Sequence, residues 1–297
     1  MYAQMDITKI KVIVCDLDDT LLRDNKTISK ETCEYLIQLQ KNGYRLVLAT
    51  SRYRKEIVDY AAQLQMEHYG GFLVTSNGAT VYNLKTGHRE AFSALDKEEA
   101  QMLIRTGLDY GLSVHMRIGD DFYCQTVGLF RFILPLLKIF TKIIKPFASH
   151  KLEYLISLLH SIHFVRNLEE MSPDQVHKIV YLTPCGRLNP FMEYIQNTYQ
   201  MKYHFFVVVN RTAAEICHSN VSKKNAVDWI LQELGLTMEN IIAFGDNSND
   251  EMLLQSAGIS VTMKNGSSRT IAKAKLLSEK TNDEDGVMDC LIKMGFE

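Results

Sequence analysis

The sequence predicts an α/β fold, a Rossmann-like doubly wound parallel sheet core that carries an inserted α+β domain. Two observations point to it. Short apolar runs alternate with helical patterns at both ends of the 297-residue chain, and each cluster of polar residues comes just after one of those runs. Strands alternating with helices imply right-handed crossovers and a parallel sheet covered on both faces. The carboxyl ends of such strands are where open α/β sheets place their ligands.

Taken in order, the run 12–15 (VIVC) reads as a strand, and Ser29 can cap a helix whose apolar positions Leu36, Ile37 and Leu39 lead to Gly43. A strand at 45–49 (RLVLA), a helix over 55–64 and a strand at 72–75 follow. Near the other end the pattern predicts a helix over 224–234 stopped by Gly235, a strand at 241–244, a helix over 249–257 and a strand at 259–262. The middle reads differently, with strand-like segments at 113–118, 122–127 and 205–209 separated by helical stretches. The expected organisation is a discontinuous core, 1–82 and 214–297, with residues 83–213 as a smaller α+β insert.

Composition excludes several classes. Hydrophobic residues make up 46% of the chain, enough for a sizeable core, and the formal net charge is −2. That balance offers no global reason to expect nucleic acid or an anionic membrane as partner, while a small anionic ligand needs only local charge. The N-terminus lacks the pattern of a signal peptide. Six cysteines form no CxxC pair, so free thiols in a reducing, cytoplasmic setting are expected. The most membrane-like stretch, 128–147, is interrupted by Arg131, Pro135, Lys138 and Lys142 and falls short of the ~20 apolar residues a span requires, so no stable membrane insertion is expected. Arg131, Lys138, Lys142 and Lys145 share one helical face opposite Ile133, Leu137, Phe140 and Ile144, and between 128 and 151 there are five Lys or Arg and no acid. The plainest expectation for this segment is a solvated basic face on an amphipathic helix containing Pro135. An anionic substrate, a membrane surface or a protein partner stay open.

Chemistry concentrates in two acidic clusters. Asp16 and Asp18 leave the first strand, and GDNSND, with Asp246 and Asp250, leaves the strand IIAF. Oxygen-only clusters without His or Cys suit a hard cation, and Mg²⁺ is plausible because it needs few protein oxygens and keeps waters and a phosphate. An EF-hand is excluded, since its sixth and twelfth positions would be Leu21 and Thr27. Two further sites suit a phosphate: Thr50 with Ser51 in LATSRYR, ahead of a predicted helix, and Lys223 in NVSKKNAV, which begins one.

DLDDT, then Thr50, then Lys223, then GDNSND resembles the four motifs of the haloacid dehalogenase superfamily of phosphohydrolases. TSNGA (75–79), AEICHSNVSKKNAV (214–227) and TNDEDGV (281–287) are similar in particular to its Cof-like branch, in which a cap is inserted between the Thr and Lys motifs. The resemblance implies Asp16 as nucleophile, through an aspartyl-phosphate, and Asp18 as proton donor and acceptor that also lends its backbone carbonyl to the metal. It implies Asp246 as a metal ligand, Asp250 as a ligand or as support for Lys223 or the metal waters, and Thr50, Lys223 and Asn249 around the phosphoryl oxygens. The implied cofactor is Mg²⁺, the implied partner a small phosphorylated metabolite selected by the cap; the oligomeric state is left open. Asp19 takes no chemistry, its place in the motif often being glycine. The chain departs from the pattern at Ser51, Lys224, Thr262, Lys264 and Gly266, none of them a catalytic group. The weighed alternatives are a phosphomutase, a receiver-type phosphoacceptor and a silent binding protein; a receiver is far shorter and has no use for Asp18.

Overall fold

Four consecutive buried residues, Val12–Cys15 (β1), set the centre of the main sheet. In the computed structural model, which describes residues 6–118, 121–144, 156, 159–183, 188–199, 202–208 and 212–297, the chain divides into two compact units, 1–92 with 220–297, and 93–219. Lys145, Lys151 and Cys185, the last predicted position of the strand at 205–209, and the side chain of Lys142 lie outside the described residues.

The first unit is built on β1, Arg45–Ala49 (β2), Phe72–Thr75 (β3), Thr80–Asn83 (β4), Arg89–Ala91 (β5), Ile241–Gly245 (β14), Ile259–Thr262 (β15) and Leu276–Leu277 (β16). Among the described residues these form one sheet in the order β16-β15-β14-β1-β2-β3-β4-β5, parallel from β16 to β3, with antiparallel pairing at β3–β4 and β4–β5 in the closing hairpin. That hairpin continues the sheet, and so the compact unit runs on to residue 92. Strand alternation divides the core in two. Ile13 and Cys15 join the layer of the helices Lys30–Lys41 and Gly286–Met294, while Val12 and Val14 join that of Lys223–Glu233 and Glu251–Ser256. The Ser29 hydroxyl caps its helix by accepting the Thr32 N–H at 3.1 Å. Because β1 pairs with β2 on one side and β14 on the other, its carboxyl end is the point where the winding reverses, the place where open α/β sheets seat their ligands.

The second unit runs from Leu95–Asp96 (β6) through Ser113–Ile118 (β7), Asp121–Gln125 (β8), Ile162–Phe164 (β9), Gln175–Val176 (β10), Ile179–Leu182 (β11), Tyr203–Val208 (β12) and Ala213–His218 (β13). Its larger sheet has the order β12-β13-β11-β7-β8-β9. The helices Lys97–Asp109 and Leu188–Tyr199 cover one face through Leu103, Ile104, Phe191 and Ile195.

The helix Phe130–Ile144 departs from the expectation of a solvated basic face. Lys138 Nζ donates to the Ile162 carbonyl at 2.6 Å, and Thr141 Oγ1 lies 3.1 Å from His160 Nε2. The apolar residues Phe132, Ile139 and Phe140 are instead 60–65% exposed, and Ile133 and Leu137 are exposed with them. β9 is the last strand of its sheet and offers backbone carbonyls that a lysine ammonium can satisfy, so the helix attaches through its polar face.

Two departures from the family pattern turn out to be one. The Thr262 hydroxyl is buried without a hydrogen-bond partner, and a Cβ on Gly266 would come within 2.6 Å of it and 2.9 Å of the Met263 carbonyl. Glycine at 266 therefore makes room for threonine at 262. Gly266→Ala should lower stability by about 1–3 kcal/mol, and adding Thr262→Ala should recover part of that loss, the Met263 carbonyl retaining the rest. Urea unfolding of the two single variants and the double variant reads this coupling; strictly additive midpoints would contradict it.

Candidate active site

Asp16 leaves β1 with its N–H donating to the Phe244 carbonyl of β14 at 3.0 Å, which draws the ends of those two strands together. The chain then makes a single wide turn, closed by the Leu22 N–H on the Leu17 carbonyl at 2.8 Å. Asp19 sits in that turn at φ 58°, the left-handed region that glycine enters freely and Asp or Asn tolerate. Backbone geometry thus accounts for a position where glycine is common. The Thr20 hydroxyl points back and donates to Asp246 Oδ1 at 2.8 Å, tying the turn to the second acidic loop.

Lys223 is the second anchor. Ser222 caps the helix Lys223–Glu233, and the lysine at its first position is fully buried, its ammonium 2.8 Å from Asp16 Oδ1 and 2.7 Å from Asp250 Oδ1. Asp250 turns its other oxygen to the N–H groups of Asp246 and Asn247, at 3.1 and 3.2 Å. One carboxylate therefore shapes the GDNSND loop and holds the lysine. Asp16, Asp246 and Asp250 each offer an oxygen within 4.8 Å of the others. Three carboxylates against one ammonium leave two negative charges in a buried, oxygen-only site, which fits a divalent cation.

The electrostatics agree with that reading. Burial, reinforced by Asp16 and Asp250, pushes the Asp246 carboxyl up to about 9. Burial also pushes Asp16 up, to about 7, against the pull of Lys223. Like-charged buried carboxylates ionise together only beside further positive charge. For Lys223, burial alone would lower the pKa, and the two carboxylates it bridges reverse that into a rise. The lysine is held charged.

Asp18 stands apart from the trio. The Arg52 guanidinium grips its carboxylate with two hydrogen bonds of 2.6 Å each, and Lys26 adds a third at 2.8 Å. Burial would raise its pKa, but Arg52 and Lys26 outweigh burial and the net shift is downward.

A separate network holds the remaining predicted residues. Thr50, buried just beyond β2, accepts the Arg52 N–H on its hydroxyl at 3.2 Å and the Asn77 N–H on its carbonyl at 3.0 Å. Ser51 follows it, half-buried. Asn249 donates its amide to Asn77 Oδ1 at 3.0 Å. Ser76 and Asn77 both have positive φ, 51° and 60°, a local strain of the kind that collects at functional sites. Gly78, at φ 102°, lies so close to the Lys223 helix that a Cβ would come within 2.2 Å of the Ser222 carbonyl. Lys224, which adds a positive charge beside the phosphate-site lysine in sequence, pairs along its own helix with Asp228.

Arg52, Lys26, Thr20 and Asn77 are the residues that motif reading passed over. Arg52, Thr20 and Asn77 lie inside quoted motifs, so position was the available signal; Lys26 lies outside them, and only the fold brings it to Asp18. Gly245 has a further duty, since a Cβ there would stand 2.5 Å from the Asp250 carboxyl carbon. Gly245→Ala should displace Asp250 from both Lys223 and the loop N–H groups and cost about 2–4 kcal/mol, read as a lowered urea midpoint; an unchanged midpoint would refute that role.

The family model described as haloacid dehalogenase-like hydrolase matches residues 13–291. Two Bacillus subtilis proteins named 5-amino-6-(5-phospho-D-ribitylamino)uracil phosphatase are similar over nearly the whole chain. YitU is 26% identical over 94% of this chain and 96% of its own, and YcsE is 24% identical over 97% and 96%. A crystal structure of a haloacid dehalogenase-like hydrolase from Bacteroides thetaiotaomicron superposes with a TM-score of 0.75 and 26% identity, covering 96% of this chain and 99% of that one. With its motif carboxylates and lysine gathered at the carboxyl ends of β1 and β14, the chain belongs to the haloacid dehalogenase-like hydrolase family.

Proposed function

We propose that the protein is a Mg²⁺-dependent phosphatase that hydrolyses small phosphomonoesters through an aspartyl-phosphate on Asp16. The observation that carries this reading is the convergence of Asp16, Lys223, Asp250 and Asp246 from the two ends of the sequence into one buried cluster. The names of the similar Bacillus subtilis phosphatases support the reaction class. Unit 93–219 would be the part that selects the substrate, and 1–92 with 220–297 the catalytic part.

Each residue has a definable task. Asp16 takes the Leu17 N–H at 2.7 Å and Lys223 on the same oxygen, Oδ1, so Oδ2 is the oxygen to attack phosphorus in line. Attack forms the Oδ2–P bond, breaks the bond from phosphorus to the ester oxygen and leaves an alkoxide. Asp18, in its protonated form, protonates that alkoxide; ionised again, it takes a proton from the water that cleaves the acyl phosphate. The grip of Arg52 and Lys26 keeps Asp18 ionised at rest, the form that can receive a proton. Asp16 and Asp246, with Asp250 beside them, would hold the metal, which when bound supplies positive charge to the phosphoryl oxygens. Lys223 adds fixed positive charge, and Thr50, Ser51 and Asn249 orient the phosphoryl group. The described cysteines Cys15, Cys33, Cys124, Cys217 and Cys290 are free and buried, which supports placement in a reducing cytoplasm.

Purified protein with Mg²⁺ should release inorganic phosphate from an aryl phosphate and from members of a sugar-phosphate panel. Asp16→Asn should lower turnover by about 10³-fold or more, and a chelator should abolish it until Mg²⁺ is restored. Absence of release from every substrate would overturn the reading, and strict dependence on a bisphosphate primer with little net release would replace it with a phosphomutase. Asn77→Gly keeps the positive φ while removing the amide that holds Asn249. It should lower kcat/KM by about 10- to 100-fold at an unchanged melting temperature, a split that a purely structural Asn77 would not produce.

A further inference from the structure

We propose that the outward face of the helix Phe130–Ile144 is a docking surface for an anionic lipid bilayer, on which it lies in the plane of the interface. At 3.6 residues per turn, Leu129, Phe132, Ile133, Leu136, Leu137, Ile139 and Phe140 occupy one continuous arc, and Arg131, Lys138 and Thr141 fall on the opposite side. The arc faces solvent. Leu129 is 69% exposed, Phe132 65% and Leu136 54%, with Phe130 at the margin. Lys138 and Thr141 are turned to the protein, on the Ile162 carbonyl and His160.

A solvent-facing apolar arc of this size calls for a partner. Eight large apolar side chains contribute to it, a patch of the order of the ~800 Å² that each partner gives to a standard interface and beyond the ~300–600 Å² usual for a monomer's largest apolar patch. Charge chooses the occupant. Residues 128–151 hold five Lys or Arg and no acid, so two copies pressed together through this segment would oppose like charges, whereas an anionic headgroup layer complements them. The arc is rich in Phe, Leu and Ile over a basic opposite side, the make-up of helices that lie on a membrane. Arg131, on the side opposite the arc, is exposed and adds its charge to the attraction of the segment for an anionic surface. Among the described residues no helix is long and apolar enough to cross, which leaves lying on the surface as the mode.

The test is flotation of the full-length protein with vesicles of phosphatidylcholine alone and of phosphatidylcholine with phosphatidylserine, at low and high salt. At low salt the anionic vesicles should carry about tenfold more protein than the neutral ones, and high salt should remove most of the difference. The double change Phe132→Gln with Phe140→Gln, and separately Arg131→Gln, should each lower the bound fraction severalfold. Both act at exposed positions and should leave the melting temperature and phosphate release from an aryl phosphate unchanged. No flotation, or equal flotation with neutral vesicles, would overturn the proposal. So would a dimer in sedimentation that the Phe changes dissociate while vesicles capture nothing; that result would assign the face to a second copy of the chain.

Discussion

The buried ammonium of Lys223, bridging Asp16 and Asp250, is the contact on which the arrangement of the site depends. It joins a residue at the start of the chain to two beyond residue 220 and compensates part of the charge gathered there. Removing one partner of such a buried pair costs about 3–5 kcal/mol, because the group left behind keeps its charge without a neighbour. Around this contact the other constraints fall into place: Gly245 because Asp250 presses on it, and Gly78 because the TSNGA turn lies against the cap of the lysine's helix. Asp250 links the two requirements, with one oxygen on the lysine and the other on the backbone of its own loop.

Asp16 and Asp18, two residues apart, end in opposite electrostatic settings. Asp16 is buried among carboxylates and is pushed up; Asp18 is gripped by Arg52 and Lys26 and is held down. Two carboxyls separated in this way can take different parts in one reaction. The local departures follow a similar logic. Gly266 accommodates Thr262, and the charge of Lys224 is drawn off along its helix to Asp228. These three departures are answered by neighbours within a few residues, and the carboxylate and lysine cluster is left intact.

The parallel core was legible because buried strands such as VIVC and RLVLA advertise themselves by apolar content and by the polar turns that follow. Predicted strands at 45–49, 72–75 and 259–262 coincide with the observed ones. Helix starts were less legible: the one expected from residue 55 opens with a 3₁₀ turn at Arg54–Glu56 and becomes regular only at Val58. The helix Phe130–Ile144 shows the limit most clearly. Its two faces were readable from spacing, but which face meets the protein was not, because that was settled by a carbonyl of β9 about two dozen residues further on.

The sequence by itself determined the types of chemical group and their order: acids after β1 and β14, a threonine after β2 and a lysine opening a helix. Those follow from local pattern, since buried strands and the polar turns after them are written in nearby residues. The tertiary structure decided which groups share one small buried volume, which are held in pairs, and what each carboxyl's charge costs. Asp16, Asp250 and Lys223 are distant in sequence, and Asp18 meets Arg52 across 34 residues. Burial and Coulomb interaction depend on distance in space, which only the folded chain sets.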